Sequence, residues 1–290
     1  MKVLVIGGSG FLGTELVRRA TASGWQTAAT YCSRPGDAPG ASWHRLDLRA
    51  PGRIDEVLAA VAPRVVVNAT SGKSDWAVTA DGSVRLALAA AHRGCRLVHV
   101  SSDAVFAGSE VPYDEGCLPD PVTPYGAAKA AAETAVRLLV PGAVVARTSL
   151  IIGDGGSVHE RLVHTVAGDP RQGVLFTDEI RCPVHVEDLA SALWELAGSD
   201  EAGVCHLAGA DALSRHALGV LIARRDGLDP TRLPAGRRAE SRLPGALDVR
   251  LDSTATLRRL RTRLRGARAF LRAGNQGEPL PRCAGGTTDT

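Results

Sequence analysis

Lys2-Val3-Leu4-Val5-Ile6-Gly7-Gly8-Ser9-Gly10-Phe11-Leu12-Gly13, followed by Thr14-Glu15-Leu16-Val17-Arg18-Arg19, decides the fold. The first five residues form a continuous apolar run, the signature of a strand buried on both faces of a parallel sheet. The glycines permit a tight turn and a close approach of backbone to a ligand. Residues 14–19 then read as the start of a helix. A glycine-rich loop between a strand and a helix N-terminus is built to hold a diphosphate, because unpaired N–H groups and the helix dipole converge there. Gly7, Ser9, Gly10, Phe11, Leu12 and Gly13 are therefore the expected cofactor loop.

Working outward, strands are predicted at residues 26–31, 43–46, 64–68, 97–100 and 143–147. Helices separate them near 54–61, 83–92 and 125–139. Strand–helix alternation implies an α/β fold, a doubly wound parallel sheet with right-handed crossovers. The second strand runs into Cys32-Ser33-Arg34, where dinucleotide folds that select NAD usually carry an acid. A hydroxyl and a guanidinium suit a 2′-phosphate instead. Ser33 and Arg34 thus point to NADPH, the alternative being that Arg34 merely solvates a loop. Asp47 and Leu48 end the third strand, where a carboxylate can accept from an adenine amino group. Asn68-Ala69-Thr70 ends the fourth, beside the expected nicotinamide. Asp47 and Asn68 read equally well as turn or cap residues.

A second stretch carries chemistry. Leu97-Val98-His99-Val100 reads as a buried strand and leads into Ser101-Ser102-Asp103. Tyr125-Gly126-Ala127-Ala128-Lys129 follows Pro124. In a helix, Tyr125 and Lys129 share one face. An ammonium beside a phenol lowers its pKa from about 10 and makes it a usable acid near neutrality. Of 34 lysines plus arginines, only Lys2, Lys73 and Lys129 are lysines, and Tyr31, Tyr113 and Tyr125 are the only tyrosines. A chain that writes nearly every cation as arginine still places a lysine four residues after a rare tyrosine. Arginine cannot replace it, being broader and permanently charged. Ser102 is the expected hydroxyl for a substrate carbonyl, completing a catalytic set of Ser102, Tyr125 and Lys129.

The 290 residues, 44% hydrophobic and 22% charged, suffice for a large core. A net charge of +3 argues for no nucleic-acid partner. The cysteines, Cys32, Cys95, Cys117, Cys182, Cys205 and Cys283, show no metal-binding spacing and read as reduced thiols of a cytoplasmic protein. No signal peptide or membrane partner is expected, since no apolar run approaches about 18 residues. Beyond residue 150 the alternation loosens, so residues 1–150 are the expected nucleotide-binding domain. Between Arg224 and Arg272 stand fourteen arginines against five acids. They form either a solvated face or a positive rim for an anionic substrate. Residues 273–290, rich in Gly, Pro and Thr, read as a disordered tail.

Taken together, these motifs resemble the extended short-chain dehydrogenase/reductase superfamily, and within it the dTDP-4-dehydrorhamnose reductase family. The resemblance spans residues 1–272. It rests on the glycine loop, Ser101-Ser102-Asp103-Ala104-Val105-Phe106, Tyr125-x-x-x-Lys129, Arg147-Thr148-Ser149, Cys182-Pro183-Val184-His185-Val186-Glu187-Asp188-Leu189-Ala190, Arg242-Leu243-Pro244 and Leu251-Asp252-Ser253. It implies a Rossmann domain of residues 1–150, to which 184–210 return, interleaved with a smaller substrate domain from 151–183 and 211–272. It implies NADPH-dependent reduction of a nucleotide-linked 4-keto sugar. Tyr125 is then the proton donor, Lys129 the pKa-lowering and ribose-binding residue, and Ser102 stands where the family usually has a threonine. Asp103, Ala104, Leu150 and Arg242 fall at the substrate. The expected partner is a small-molecule substrate, with a homodimer left open.

The chain departs from the family pattern in the pocket. Ala104 stands where the family often has tyrosine, Leu150 where it often has tryptophan, and Thr79 where short-chain reductases often carry asparagine. Small residues at 104 and 150 motivate a second reading, a reductase of a non-sugar carbonyl or imine. A third is a non-catalytic NADP-binding regulatory subunit, as in methionine adenosyltransferase; the intact triad argues against it. Epimerase or dehydratase chemistry would call for a further acid–base pair near Ser102, which the sequence does not offer.

Overall fold

The computed structural model describes residues 1–109, 111–241 and 244–272. Arg242 and the 273–290 segment lie outside the described residues. Seven parallel strands form the central sheet: β1 (Lys2–Ile6), β2 (Gln26–Tyr31), β3 (Ser42–Arg45), β4 (Val65–Asn68), β5 (Arg96–Ser102), β6 (Val144–Thr148) and, completing it late in the chain, β11 (Gly203–Leu207). Their order across the sheet is β11-β6-β5-β4-β1-β2-β3.

The uninterrupted apolar strands follow from double-sided burial. Val3 and Val5 pack into one core with α1 (Phe11–Ala22) and α6 (Val186–Ala197). Leu4 and Ile6 pack into the opposite core with α2 (Arg53–Val61), α3 (Gly82–His92) and α4 (Pro124–Leu139). Each fully buried Leu or Ile contributes about 2 kcal/mol. α1 is fastened to α6 where the Trp194 indole N–H donates to the Leu16 carbonyl at 3.0 Å. A π-helical turn, Ala77–Asp81, precedes α3 and was not foreseen from the sequence.

β1 and β4 are parallel neighbours, but the order in which strands are added reverses between them, β2 and β3 lying to one side and β5 and β6 to the other. A crevice opens there at the strands' carboxyl ends, the usual ligand position of such sheets. Beside it lies a smaller core. It packs α5 (Val158–Gly168) against α7 (Arg215–Arg225), with short strands β7 (Ile151–Ile152), β8 (Leu175–Phe176), β9 (Ile180–Arg181), β10 (Val184–His185), β12 (Leu213–Ser214) and β13 (Ala235–Gly236) paired in twos. Short helices α8 (Thr254–Leu257) and α9 (Ala267–Phe270) follow.

No described arginine of the 224–272 segment lines the crevice. Arg259 pairs with Glu201 at 2.9 Å, Arg265 with Asp188 at 2.9 Å, and Arg261 lies 3.6 Å from Glu195. These arginines strap the end of the chain onto α6 and the turn that follows it.

Candidate active site

The crevice is a cavity of about 800 Å³. At one end lies the glycine loop. Gly7 has φ +79°, and a Cβ there would meet the Thr70 side chain at 2.9 Å. Its N–H donates to Thr30 Oγ1 at 2.9 Å, tying the loop to β2. Gly10 caps α1 with no side-chain partner, and the first helical turn holds no acid. The helix therefore presents unneutralised N–H groups to the cavity. Ser9, Gly10, Phe11 and Leu12 line it with Gly7. Gly13 does not. A Cβ on Gly13 would sit 2.1 Å from the Gly7 carbonyl oxygen, so this glycine lets helix and strand touch rather than meeting a ligand.

The expected adenosine end is built by Tyr31, Cys32, Asp47, Leu48 and Arg49. Ser33 and Arg34 stand outside the lining, exposed on the loop after β2. Arg49 was missed in the sequence, and it changes the reading of Asp47. Its guanidinium donates to the Asp47 carboxylate at 3.0 Å through Nε and Nη2, holding that carboxyl below its usual range. Asp47 is thus already engaged where an adenine acceptor was expected. Asn68 is buried beneath the wall. Its Oδ1 accepts from Thr70 Oγ1 at 2.6 Å, and its amide meets Ser83 and His99. Ala69 and Thr70 line the cavity; Asn68 supports them from below.

Ser102, Tyr125 and Lys129 all reach the same cavity. Ser102 ends β5 opposite Thr148 of β6, and α4 begins at Pro124 under a Thr123 cap that accepts from Gly126 N–H at 3.0 Å. A Cβ on Gly126 would lie 2.0 Å from the Ala104 carbonyl oxygen, so the start of α4 rests directly on the turn after Ser102. That contact brings Tyr125 to Ser102. Burial pushes the phenol above its ordinary value, hydrogen bonds from Ser71 and Ser102 pull it back, and Asp103 raises it. Ser71 was not foreseen, although its place just past β4 marks it as a strand-end residue.

The expected direct pairing of Lys129 with the phenol is replaced by another arrangement. The Lys129 ammonium donates to the Val100 carbonyl at 2.9 Å and the Thr70 carbonyl at 3.3 Å. These strand-end oxygens outcompete the phenol for a buried cation. Burial lowers the ammonium to about 8, against the raising influence of Glu133.

Leu150 lines the cavity wall where the substrate is expected, together with Ile151, Val158, His159 and Arg161. Asp103 and Ala104 do not. Asp103 is buried, accepts from Ser149 Oγ at 2.7 Å and lies 3.7 Å from Arg181 Nε, so it braces the wall from behind. Thr79 Oγ1 donates to the Lys73 carbonyl at 3.0 Å, supporting a residue at φ +53° that does line the cavity.

The model of one family, the RmlD substrate binding domain, matches residues 1–246. The chain belongs to this family. A dTDP-4-dehydrorhamnose reductase of Mycobacterium tuberculosis is 32% identical over 245 residues, covering 80% of this chain and 78% of the relative. The spore coat polysaccharide biosynthesis protein SpsK of Bacillus subtilis is 27% identical over 239 residues, covering 79% and 80%. Among solved structures, the dTDP-4-dehydrorhamnose reductase of Bacillus anthracis in complex with NADP superposes with a TM-score of 0.77 at 19% identity, over 93% of this chain and 96% of that one. The last likeness is one of fold.

Proposed function

We propose that this family member is an NADPH-dependent reductase of a nucleotide-linked 4-keto sugar. The observation that carries the reading is convergence: Ser102, Tyr125 and Lys129 share one cavity with an uncapped helix N-terminus and its glycine loop. The loop fits a dinucleotide diphosphate, because Gly7 and Gly10 leave room where side chains would intrude and no acid opposes the charge. When bound, NADPH supplies the hydride.

The chain's residues manage the proton and the oxygen. Burial keeps the Tyr125 phenol protonated at neutral pH, as a general acid requires. Tyr125 passes that proton to the substrate carbonyl oxygen as negative charge builds there. Ser102 donates a hydrogen bond to the same oxygen and holds it in place. The Lys129 ammonium, still charged below pH about 8, favours the phenolate left behind. Ser71 supplies the other hydroxyl that stabilises it. Exposed Arg34, which has no partner among the described residues, is the cation free to meet a 2′-phosphate, whereas Arg49 is held by Asp47. A pure cofactor-binding subunit has no use for a protonated phenol between two hydroxyls.

The test mixes the pure protein with NADPH and a panel of dTDP-, UDP- and GDP-linked 4-keto-6-deoxyhexoses and follows loss of reduced nicotinamide. Turnover with at least one is expected. Tight NADPH binding without turnover of any would overturn the reading in favour of a non-catalytic role.

A further inference from the structure

His159 is the imidazole of the cavity wall, in the first turn of α5. Its Nδ1 lies 3.2 Å from both Nη1 and Nη2 of Arg215, the first residue of α7. An arginine guanidinium only donates, so Nδ1 must offer its lone pair and the ring proton must sit on Nε2. The tautomer is thereby fixed by a residue fifty-six positions away. Arg215 is itself held: its backbone N–H donates to the Glu179 carbonyl at 3.0 Å, and its Nε lies 3.8 Å from the Glu179 carboxylate. Glu179 in turn takes Arg238 at 3.2 Å. The ring is therefore oriented by a chain of groups running back through the small core. Nε2 has no hydrogen-bond partner among the described residues.

Burial first, and then the Arg215 charge, push the imidazolium down to about 3. Other charged groups on and around α5 are engaged elsewhere. Glu160 pairs with Arg225 and His164 with Asp226, Arg171 holds Asp169, Arg161 donates to the Gly156 carbonyl, and Arg232 donates to the Gly168 carbonyl. Arg215 alone meets the ring.

We propose that His159 is a substrate-recognition residue, its uncharged Nε2–H donating to an acceptor oxygen of the sugar, with Arg215 as the positioning residue behind it. The proposal rests on the reductase reading and adds what that reading leaves open: a donor on the substrate side, set apart from the Ser102–Tyr125 pair. Leu150, Ile151 and Val158 beside it are apolar, while Arg161, Ser149 and Ser157 also line the cavity. An imidazole held in one orientation discriminates between sugars that place an oxygen at Nε2 and sugars that do not.

The experiment uses the full chain with NADPH and the same 4-keto sugar nucleotide panel. His159→Phe keeps a ring and deletes the donor, so KM for the best panel member should rise about tenfold with kcat changed less than about threefold. His159→Gln restores an N–H near the Nε2 position and should recover most of that loss. NADPH affinity should stay at its wild-type value in both. Nitrogen NMR of histidine-labelled protein, with the His159 signals identified by their absence in His159→Phe, should show the Nε2–H tautomer with no titration from pH 5.5 to 8. Unchanged KM in His159→Phe, an Nδ1–H tautomer, or an NADPH affinity that falls while sugar KM holds would each overturn the proposal. Absence of wild-type turnover across the panel would instead remove the reductase reading, and the sugar acceptor with it.

Discussion

Lys129→Met isolates what the buried ammonium costs the fold and what it gives the reaction. The side chain is 2% exposed and its nitrogen is held by two carbonyl oxygens. Its folded value of about 8 lies below the ordinary 10.5, so at neutral pH the folded chain carries a charge it holds less readily than the unfolded chain does. At about 1.4 kcal/mol per tenfold, the difference amounts to about 3 kcal/mol of destabilisation. Methionine removes that penalty but leaves the Val100 and Thr70 carbonyls short of a donor, which costs about 1–3 kcal/mol. The two nearly cancel at pH 7, so a single melting temperature would teach little.

The pH dependence separates them. Below pH 8 both folded and unfolded chains hold the proton and the full penalty applies. Between 8 and 10.5 the folded lysine has released its proton while the unfolded one keeps it, so wild-type stability rises relative to Lys129→Met. By pH 9.5 the gain should reach about 2 kcal/mol. Urea unfolding of both proteins from pH 6.5 to 9.5, repeated in a Tyr125→Phe background to remove the phenol's own titration, measures it. Single-turnover NADPH oxidation should meanwhile be nearly abolished in Lys129→Met. A stability difference that stays flat with pH would show that Lys129 carries no burial penalty, and the account of its environment would fall.

Tyr125→Phe deletes only the hydroxyl, so turnover should fall roughly 10²–10⁴-fold while NADPH affinity holds; near-full activity would exclude Tyr125 as the acid. Arg34→Ala should weaken NADPH by about 1.5–3 kcal/mol and leave NADH nearly unchanged, whereas Arg49→Ala should barely alter the preference between them. Fluorescence titration of both cofactors decides this, and a larger loss of preference in Arg49→Ala would reverse the assignment. With Leu150 on the wall in place of an aromatic ring, dTDP-4-dehydrorhamnose should be turned over with kcat/KM below about 10⁴ M⁻¹s⁻¹. A higher value in steady-state assays would show that position 150 does not set specificity.

The features legible in the sequence were those written locally. An apolar run, a glycine turn and a helical periodicity sit within eighteen consecutive residues from Lys2 to Arg19, and the sheet's first βα unit follows from them. The features that were not legible depend on partners far along the chain. The count of arginines against acids from 224 to 272 suggested excess charge because its window left out Glu201, Glu195 and Asp188, which lie 58, 66 and 77 residues from the arginines they meet. His159 was passed over for the same reason, since what defines it is Arg215. The spacing of Tyr125 and Lys129 was read correctly as one helical face, but spacing says nothing of the strand-end carbonyls that claim the ammonium.

The same helical face explains how the site keeps its geometry. Tyr125, Lys129 and Glu133 follow one another at four-residue intervals along α4 and form a single stripe turned toward the sheet. Glu133 meets Arg147 of β6 at 2.8 Å and accepts from Ser101 Oγ of β5 at 2.5 Å, with both charged side chains at most 2% exposed. A buried pair of this kind adds little net stability, because desolvation offsets the attraction. What it does supply is register. Sliding or rotating α4 by one residue would strand a carboxylate and a guanidinium in the core, at a cost of several kcal/mol. The helix is thus locked to the ends of β5 and β6, one residue from Ser102 on one strand and from Thr148 on the other. The phenol and the hydroxyl that must act on one oxygen are held together by a pair of charges that never touch the substrate.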